Sequence, residues 1–181
     1  GPLWPYAYCC SLLFLLNLLL RSFAKVGSAR DILLIAGTGS QKQKLELQAK
    51  KLGIESQVKF LGYVDDVNSL MQSSDILVLT SNSEAFGMVL IEGLSAGLQI
   101  VSTNSFSGPA EVLGNGRYGY LAEVDSVDSI ASAMRSAITS PIPLEVINEG
   151  ASRFSVGCAV NNYLEFITAV IASDGGLNDA I

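Results

Sequence analysis

The chain has 181 residues, of which 49% are hydrophobic and 15% charged, and it has a formal net charge of −6 with no histidine. This length predicts a single folded unit, and the apolar content excludes intrinsic disorder. With 17 acidic against 11 basic residues, no nucleic-acid partner is expected. The lack of histidine excludes Ser-His and Cys-His nucleophiles and the usual zinc sites, and three cysteines are too few for a metal site. Their odd number fits a reducing cytoplasm.

The N-terminal part of the chain has an unusual composition. Residues 9–20 are apolar except for Ser11 and Asn17, a run shorter than the roughly 20 apolar residues of a membrane-spanning helix. Three interpretations remain: a buried amphipathic helix, a helix on a membrane surface, or a helix whose partner domain is missing. No basic residue precedes the run, which argues against a signal peptide.

Three regions are predicted along the chain. Residues 1–11 form an atypical segment, interpreted either as a protease-cleavage remnant or as a truncated first strand. Residues 12–173 form the folded domain, and residues 174–181 a tail.

Short apolar runs alternate with helical patterns through the rest of the chain. In chain order the sequence predicts strand 32–36, helix 41–52, strand 58–61, helix 67–72, strand 76–79, helix 87–96, strand 100–102, a short helix ending at Leu113, strand 118–122 and helices 127–140, 144–153 and 156–172. Asp65-Asp66 and either Asp125 or Ser126 are expected to cap their helices. Continuous apolar strands alternating with helices predict an α/β fold with a doubly wound parallel sheet. Ligands of such sheets bind at the carboxyl ends of the strands.

The loop over residues 81–87, between a strand and a helix, is the sharpest site candidate. The start of a helix presents unpaired backbone N–H groups and favours an anion, and here those groups belong to Phe86, Gly87, Met88 and Val89. Glu84 stands just before this helix and Glu92 inside it. Together they fit a sugar nucleotide, because the amides hold the diphosphate while the carboxylates accept hydrogen bonds from sugar or ribose hydroxyls.

A structural explanation of the two carboxylates stays open. Glu84 could simply complement the helix dipole, and Glu92 could lie on a solvated face. Glu92 is the less ordinary of the two, because its helix has no other charge. Its helical neighbours are Met88, Val89, Ser95 and Ala96, and a carboxylate in that setting should have a partner.

The glycine pair Gly37 and Gly39 does not belong to a dinucleotide fingerprint. The third glycine position is Lys42, and no acidic residue ends the following strand, so an NAD-linked enzyme is disfavoured. No Walker motif occurs either. An ordinary strand-to-helix turn explains the pair equally well.

Several motifs resemble the C-terminal half of family 4 glycosyltransferases of the GT-B fold. The stretch from Glu84 to Gly97 looks like that family's E-x7-E motif, with Glu92 as its second glutamate. The other similar segments are residues 32–39, 58–64, 107–113, 119–121 and 154–155. The resemblance covers roughly residues 15–171, and the order of the motifs is more specific than any one of them.

The resemblance implies a Rossmann-like donor-binding lobe of a retaining hexosyltransferase. The donor would be a nucleotide-diphospho-sugar, with a UDP-sugar favoured, and no metal or other cofactor is expected. Glu84 would be the catalytic residue at the hydroxyls of the transferred sugar, and Glu92 would bind the ribose. The remaining donor-binding residues would be Phe86, Gly87, Met88 and Val89 at the diphosphate, Leu61, Gly62 and Tyr63 at the base, and Gly37 and Gly39 along the cleft. The sequence of residues 105–109 is similar to the corresponding motif in enzymes of bacterial capsule, lipopolysaccharide or exopolysaccharide synthesis.

Two departures from the family limit what the chain is expected to do. The family's basic pair at the diphosphate has no counterpart, because no Lys or Arg precedes Arg21, and the N-terminal acceptor-binding lobe is missing. We therefore expect no sugar transfer by this chain alone. The complete protein is expected in the cytoplasm, peripheral to the inner membrane, with a lipid-linked acceptor. The alternatives are a non-catalytic nucleotide-sugar-binding or partner module, or a GT-B-like sugar-nucleotide epimerase, which the lack of histidine disfavours.

Overall fold

The computed structural model describes residues 11–82, 87–105 and 108–155, where short strands alternate with helices. In chain order the elements are α1 (Ser11–Val26), β1 (Leu33–Ala36), α2 (Lys42–Lys51), β2 (Val58–Gly62), α3 (Val67–Gln72), β3 (Ile76–Leu79), α4 (Met88–Ser95), β4 (Gln99–Thr103), α5 (Pro109–Val112), β5 (Tyr120–Ala122), α6 (Val127–Thr139) and α7 (Leu144–Ser152). Most predicted bounds differ from these by one residue. The predicted helix 156–172 lies outside the described residues.

The last strand begins two residues later than predicted. The backbone N–H of Tyr118 donates to the carbonyl of Leu113 at 3.0 Å, so it closes the turn after α5. The backbone therefore enters the ladder only at Tyr120. Both Tyr118 and Gly119 are buried, which explains why the apolar pattern there is typical of a strand.

Two helix starts confirm the predicted caps. The Asp66 carboxylate accepts from the backbone N–H of Ser69 at 2.9 Å and from its hydroxyl at 2.6 Å. The side-chain bond from Ser69, followed by the backbone bond, lowers the pKa of Asp66. Ser126 caps α6 by accepting from the backbone N–H of Ser129. Each cap satisfies a donor that the helix itself cannot pair.

All described strand pairs are parallel, as predicted, but they form two ladders. β1 pairs with β2, and β4 pairs with β3 on one side and β5 on the other. Among the described residues, no ladder joins β1 to β3.

Helices cover the strands from two sides, which is the doubly wound arrangement. One core cluster joins α1, α2 and α6 to both ladders, with buried side chains that include Leu20, Leu45 and Ile130. The other cluster joins α3, α4, α5 and α7 to the β3–β4–β5 ladder, with Leu94 and Ile147 fully buried. The chain therefore switches faces between α2 and α3.

The N-terminal apolar run contributes to the first of these clusters. Leu18, Leu19, Leu20 and Phe23 are buried, and α1 packs mainly against α6. The described part of the run is thus a buried amphipathic helix, the first of the three interpretations. In the described part of the chain, no helix has both the length and the apolar character needed to cross a membrane.

Candidate functional site

The carboxyl ends of the parallel strands share one edge, and hydrogen bonds tie the loops there in pairs. The backbone N–H of Gly37, after β1, donates to the carbonyl of Gly62 at the end of β2, at 2.7 Å. The Thr103 hydroxyl at the end of β4 donates to the carbonyl of Ser81, after β3, at 2.6 Å. Each ladder therefore holds its own pair of loops in place.

The start of α4 depends on a glycine in a left-handed conformation. Gly87 has φ 71° and ψ 43°, which glycine adopts without the penalty that a Cβ brings. A Cβ built on Gly87 would also lie 3.1 Å from Cδ1 of Leu90. The first N–H groups of a helix have no intrahelical partner, so this helix start can bind an anion. Glu84 and Phe86 lie outside the described residues, so the position of the first glutamate of the motif stays a prediction.

Glu92 is half-buried on the side of α4. Tight packing holds this helix, because a Cβ on neighbouring Gly93 would lie 2.7 Å from side-chain carbons of both Ile100 and Leu77. Burial raises the pKa of the Glu92 carboxyl by disfavouring its charged form. We expected a partner for this carboxylate, but the described residues provide neither a hydrogen bond nor an ion pair. The carboxylate can therefore accept hydrogen bonds from a ligand.

A groove between α3 and α4 contains Glu92 in its wall. It has a volume of about 280 Å³ and is lined by Asn68, Gln72, Ile91, Glu92, Ser95 and Ala96. The amides of Asn68 and Gln72 were not among the predicted site residues. Because these two residues are four positions apart, both lie on one side of a helix, and this spacing could have predicted them as site residues. The groove thus combines a carboxylate with two amides, which suits a ligand rich in hydroxyl groups.

Apolar side chains are exposed near the same edge. Tyr63 is 70% exposed, Met88 53% and Leu61 39%. An exposed aromatic ring can stack on a nucleotide base. The place of the base at Leu61, Gly62 and Tyr63 stays a prediction.

The predicted cleft glycines have different structural requirements. Gly37 has φ 134°, in the region that favours glycine, whereas Gly39 does not have a positive φ. A Cβ on either residue would meet nothing within 4 Å. The positive φ in this turn explains why residue 37 is a glycine. Neither φ nor packing requires a glycine at position 39.

Buried hydroxyl groups follow the central strands. The Thr80 hydroxyl donates to the carbonyl of Leu15 in α1 at 2.9 Å. Ser105, after β4, is 3% exposed, and its hydroxyl has no hydrogen-bond partner among the described residues.

Basic side chains are scarce at this edge. The loops after β2, β3 and β4 contain no Lys or Arg. Lys42 begins α2 after the Gly37–Gly39 turn, where it is exposed and lies 3.7 Å from the Glu46 carboxylate. The described residues contain no cluster of three or more His, Cys, Asp or Glu side chains that could hold a metal ion.

The sequence has curated relatives among bacterial enzymes. It is 37% identical over 112 residues to an N-acetyl-alpha-D-glucosaminyl L-malate synthase from Bacillus anthracis. That alignment covers 61% of this chain and 29% of the relative. The chain therefore spans less than a third of the length of this relative.

Solved structures share the fold. The lipopolysaccharide outer core galactosyltransferase WaaB in its apo form superposes with a TM-score of 0.73 at 25% identity, covering 84% of this chain and 44% of WaaB. Anabaena Alr3699/HepE in complex with UDP and glucose gives a TM-score of 0.70 at 22% identity, covering 84% of this chain and 44% of that protein. The C-terminal domain of a group 1 glycosyl transferase, LpcC from Francisella tularensis, gives 0.68 at 20% identity, covering 76% of this chain and 77% of that domain.

The family model for "Glycosyl transferases group 1" matches residues 16–154. This span includes every described strand and all but the first five residues of α1. The structures that match over most of this chain are glycosyltransferases of the GT-B fold, and one of them is an isolated C-terminal domain. The chain therefore belongs to the group 1 glycosyl transferases, in agreement with the resemblance found in its motifs.

Proposed function

We propose that the chain is the donor-binding C-terminal half of a retaining hexosyltransferase that uses a nucleotide-diphospho-sugar. The observation on which this depends most is Glu92, a half-buried carboxylate without a partner among the described residues, on a helix whose N-terminus faces the carboxyl edge of the sheet. A carboxylate and a helix N-terminus suit a ligand with both hydroxyl groups and a negative charge.

In the proposed complex, the diphosphate lies at the N-terminus of α4, against the backbone of Phe86, Gly87, Met88 and Val89. Glu92 accepts hydrogen bonds from the ribose hydroxyls. The exposed surface of Leu61, Gly62 and Tyr63 contacts the base, and Gly37 and Gly39 line the cleft. The complex between HepE, UDP and glucose supports a UDP-sugar as the donor.

The proposed chemistry relies on position and electrostatics. Glu84 binds the hydroxyls of the transferred sugar as the catalytic carboxylate. The amides and dipole of α4 stabilise the charge that develops on the departing diphosphate. An N-terminal lobe supplies the acceptor, and closure of the two lobes positions the reactants and excludes water. The proposal requires no metal ion.

We also propose that this chain transfers no sugar without such a lobe. It covers 44% of WaaB, and the loops after β2, β3 and β4 contain no Lys or Arg to neutralise a diphosphate. For the complete protein, the relation to WaaB supports a role in bacterial surface polysaccharide synthesis. We place it in the cytoplasm at the inner membrane, with a lipid-linked acceptor.

Calorimetric titration with UDP, GDP and UDP-glucose tests the donor site. We expect UDP to bind the unmodified chain and Glu92→Gln to weaken it by about tenfold to a hundredfold, because hydrogen bonds to a charged group contribute about 1.5–3 kcal/mol. Glu55→Gln is the matched control, since Glu55 is exposed and precedes β2 at the opposite edge of the sheet. No nucleotide binding at millimolar concentration, or equal binding by the two variants, would contradict the proposal.

A non-catalytic nucleotide-sugar-binding module is the second candidate. The loss of the family's basic pair, which has no counterpart before Arg21, favours it, because that pair would stabilise the departing diphosphate. The two candidates differ in the turnover of labelled UDP-sugar when the acceptor-binding lobe of a relative is joined to this chain. Binding without turnover favours the module, and transfer to the acceptor favours the enzyme.

A further inference from the structure

The helices on the two sides of the sheet differ in charge. α1, α2 and α6, which cover one side, contain seven Lys or Arg residues and two acidic residues. α3, α4, α5 and α7, which cover the other side, contain four glutamates and, within their described bounds, no Lys or Arg. Although the whole chain has a net charge of −6, α1, α2 and α6 therefore form a basic layer. Such an asymmetry directs one face of a protein towards an anionic partner.

The positive charge of the basic layer is concentrated on α2. Of the four lysines in this helix, Lys42 lies 3.7 Å from the carboxylate of Glu46, the acidic residue of the same helix. Lys44, Lys50 and Lys51 are exposed, and the described residues provide no ion pair for them. Three positive charges that no described acidic group neutralises thus lie within two turns of one helix.

An exposed leucine lies among these three lysines. Leu47 is 60% exposed. Lys44 precedes it by three residues, and Lys50 and Lys51 follow it by three and four, so all three are its neighbours on the helix surface. The opposite side of α2 is fixed to the core, where Leu45 and Ala49 are buried. The outermost line of α2 is therefore an apolar side chain surrounded by positive charge.

We propose that the outer face of α2, formed by Lys44, Leu47, Lys50 and Lys51, docks on a membrane surface that contains anionic phospholipids. The lysine ammonium groups lie level with the lipid phosphates, while Leu47 enters the boundary between headgroups and acyl chains. A nucleic acid would attract the same lysines through its phosphates. It has no apolar layer for the leucine between them, so Leu47 favours the lipid surface.

The other two helices of the basic layer extend this contact. α1 packs against both α2 and α6. Lys25 on α1 pairs with Asp128 on α6, whereas Arg21 and Arg135 are exposed and have no ion pair among the described residues. Phe14 on α1 is 49% exposed. The layer thus adds positive charge and apolar surface beside the face of α2.

This docking leaves the donor site accessible. α2 connects two parallel strands, so it runs back from the carboxyl edge of the sheet towards the amino ends of the strands. When α2 lies flat on the membrane, the carboxyl edge opens along the membrane surface. The contact gives the proposed membrane location a surface but does not depend on the donor site. A chain that binds no UDP could still bind vesicles, and the reverse.

Cosedimentation of the full chain with lipid vesicles, without nucleotide, tests the proposal. Vesicles of phosphatidylglycerol and phosphatidylcholine in equal parts should bind the chain, less tightly as salt is added, and more tightly than pure phosphatidylcholine. Lys50→Gln combined with Lys51→Gln should weaken this binding about thirtyfold, because each lysine near an anionic surface contributes about fivefold. Leu47→Ser should weaken it about tenfold, because less apolar surface is buried.

Lys59→Gln combined with Arg117→Gln is the matched control, because it removes the same charge elsewhere. Val58 and Phe60 pack into the cluster on the α2 side of β2, so the exposed Lys59 between them faces the other side of the sheet. Arg117 is exposed and pairs with Glu149 of α7. This variant should bind vesicles like the unchanged chain. Equal thermal midpoints of all variants would show that each one folds.

Three results would overturn the proposal. The first is equal binding to the anionic vesicles and to pure phosphatidylcholine. The second is an equal loss of binding in the double variant of α2 and in the matched control, which would reduce the effect to net charge. The third is binding to duplex DNA as tight as to vesicles and unaffected by Leu47→Ser, which would assign the face of α2 to a nucleic acid.

Discussion

In the described part of the chain, the two ladders differ in how completely helices cover them. The β3–β4–β5 ladder has helices of both core clusters against it, and Ile100 and Val101 on β4 are at most 1% exposed. Among the described residues, the β1–β2 ladder borders only the cluster under α1, α2 and α6. As far as the described residues form it, the other cluster contains no residue of β1 or β2, and Leu34 and Leu61 are exposed to solvent there.

This difference separates two requirements of a binding site. In the proposed complex Glu92 and Gly87 must keep a fixed geometry, and they belong to α4 and its start, which pack on the β3–β4–β5 ladder. The exposed surface of Leu61 and Tyr63, which the proposal assigns to the base, lies at the end of the other ladder. Equivalent substitutions should therefore lower the free energy of unfolding by different amounts in the two ladders.

The largest difference is expected for leucine truncation. Leu94→Ala removes a fully buried side chain on α4 and should cost about 2–5 kcal/mol of unfolding free energy. Leu61→Ala, on β2, should cost about 1 kcal/mol or less, because much of that side chain already contacts water. Urea unfolding of both variants measures this, and equal costs would show that the β1–β2 ladder is as tightly packed as its neighbour.

A smaller difference is expected for glycine substitution. In Gly93→Ala the new methyl group would clash with Ile100 and Leu77 between α4 and the strands, which should cost about 1–3 kcal/mol. Gly39→Ala meets open space without a positive φ and should change stability by about 0.5 kcal/mol or less. Thermal unfolding compares the two, and a tolerated Gly93→Ala would show that α4 can move away from the sheet.

Glu92→Gln should increase stability at pH 7, in contrast to its expected effect on nucleotide binding. Burial raises the folded-state pKa of Glu92, so folding is penalised once the carboxyl is ionised. The penalty is full above the raised pKa and disappears as the pH falls below the ordinary value of 4.5. The stability advantage of Glu92→Gln should therefore shrink on acidification. Urea midpoints at several pH values test this, with Glu55→Gln as control; a pH-independent difference would contradict the role of burial.

The smallest effects are expected at the exposed ion pairs, where the two ladders should not differ. Arg117→Ala removes a 2.9 Å pair with Glu149, and Lys42→Ala removes a 3.7 Å pair with Glu46. Each should cost about 1 kcal/mol or less, because water and salt screen exposed charges. Unfolding at low and high salt measures both. A larger loss for Arg117→Ala would assign its excess to the contact with the Tyr118 ring, 5.4 Å away.

Local chemistry made most of the elements predictable. The Asp66 and Ser126 caps and the strand 76–79 all follow from interactions between residues close in sequence. Tyr118 and Gly119 were wrongly assigned to a strand, because burial produces the same apolar pattern whether the backbone pairs in a ladder or closes a turn. Of the site residues, Gly87 and Glu92 could be named from their position after a strand, whereas Asn68 and Gln72 became visible only once α3 lay beside α4.

By itself, then, the sequence determined the alternation of strands and helices, the family and the glutamate on α4, since each depends on neighbouring residues or on an ordered series of motifs. The tertiary structure alone decided that the described strands pair in two ladders, that Glu92 is half-buried without a described partner, and that one side of α1 is buried. These properties arise from contacts between residues far apart in the chain, such as Thr80 with Leu15, which local patterns do not encode.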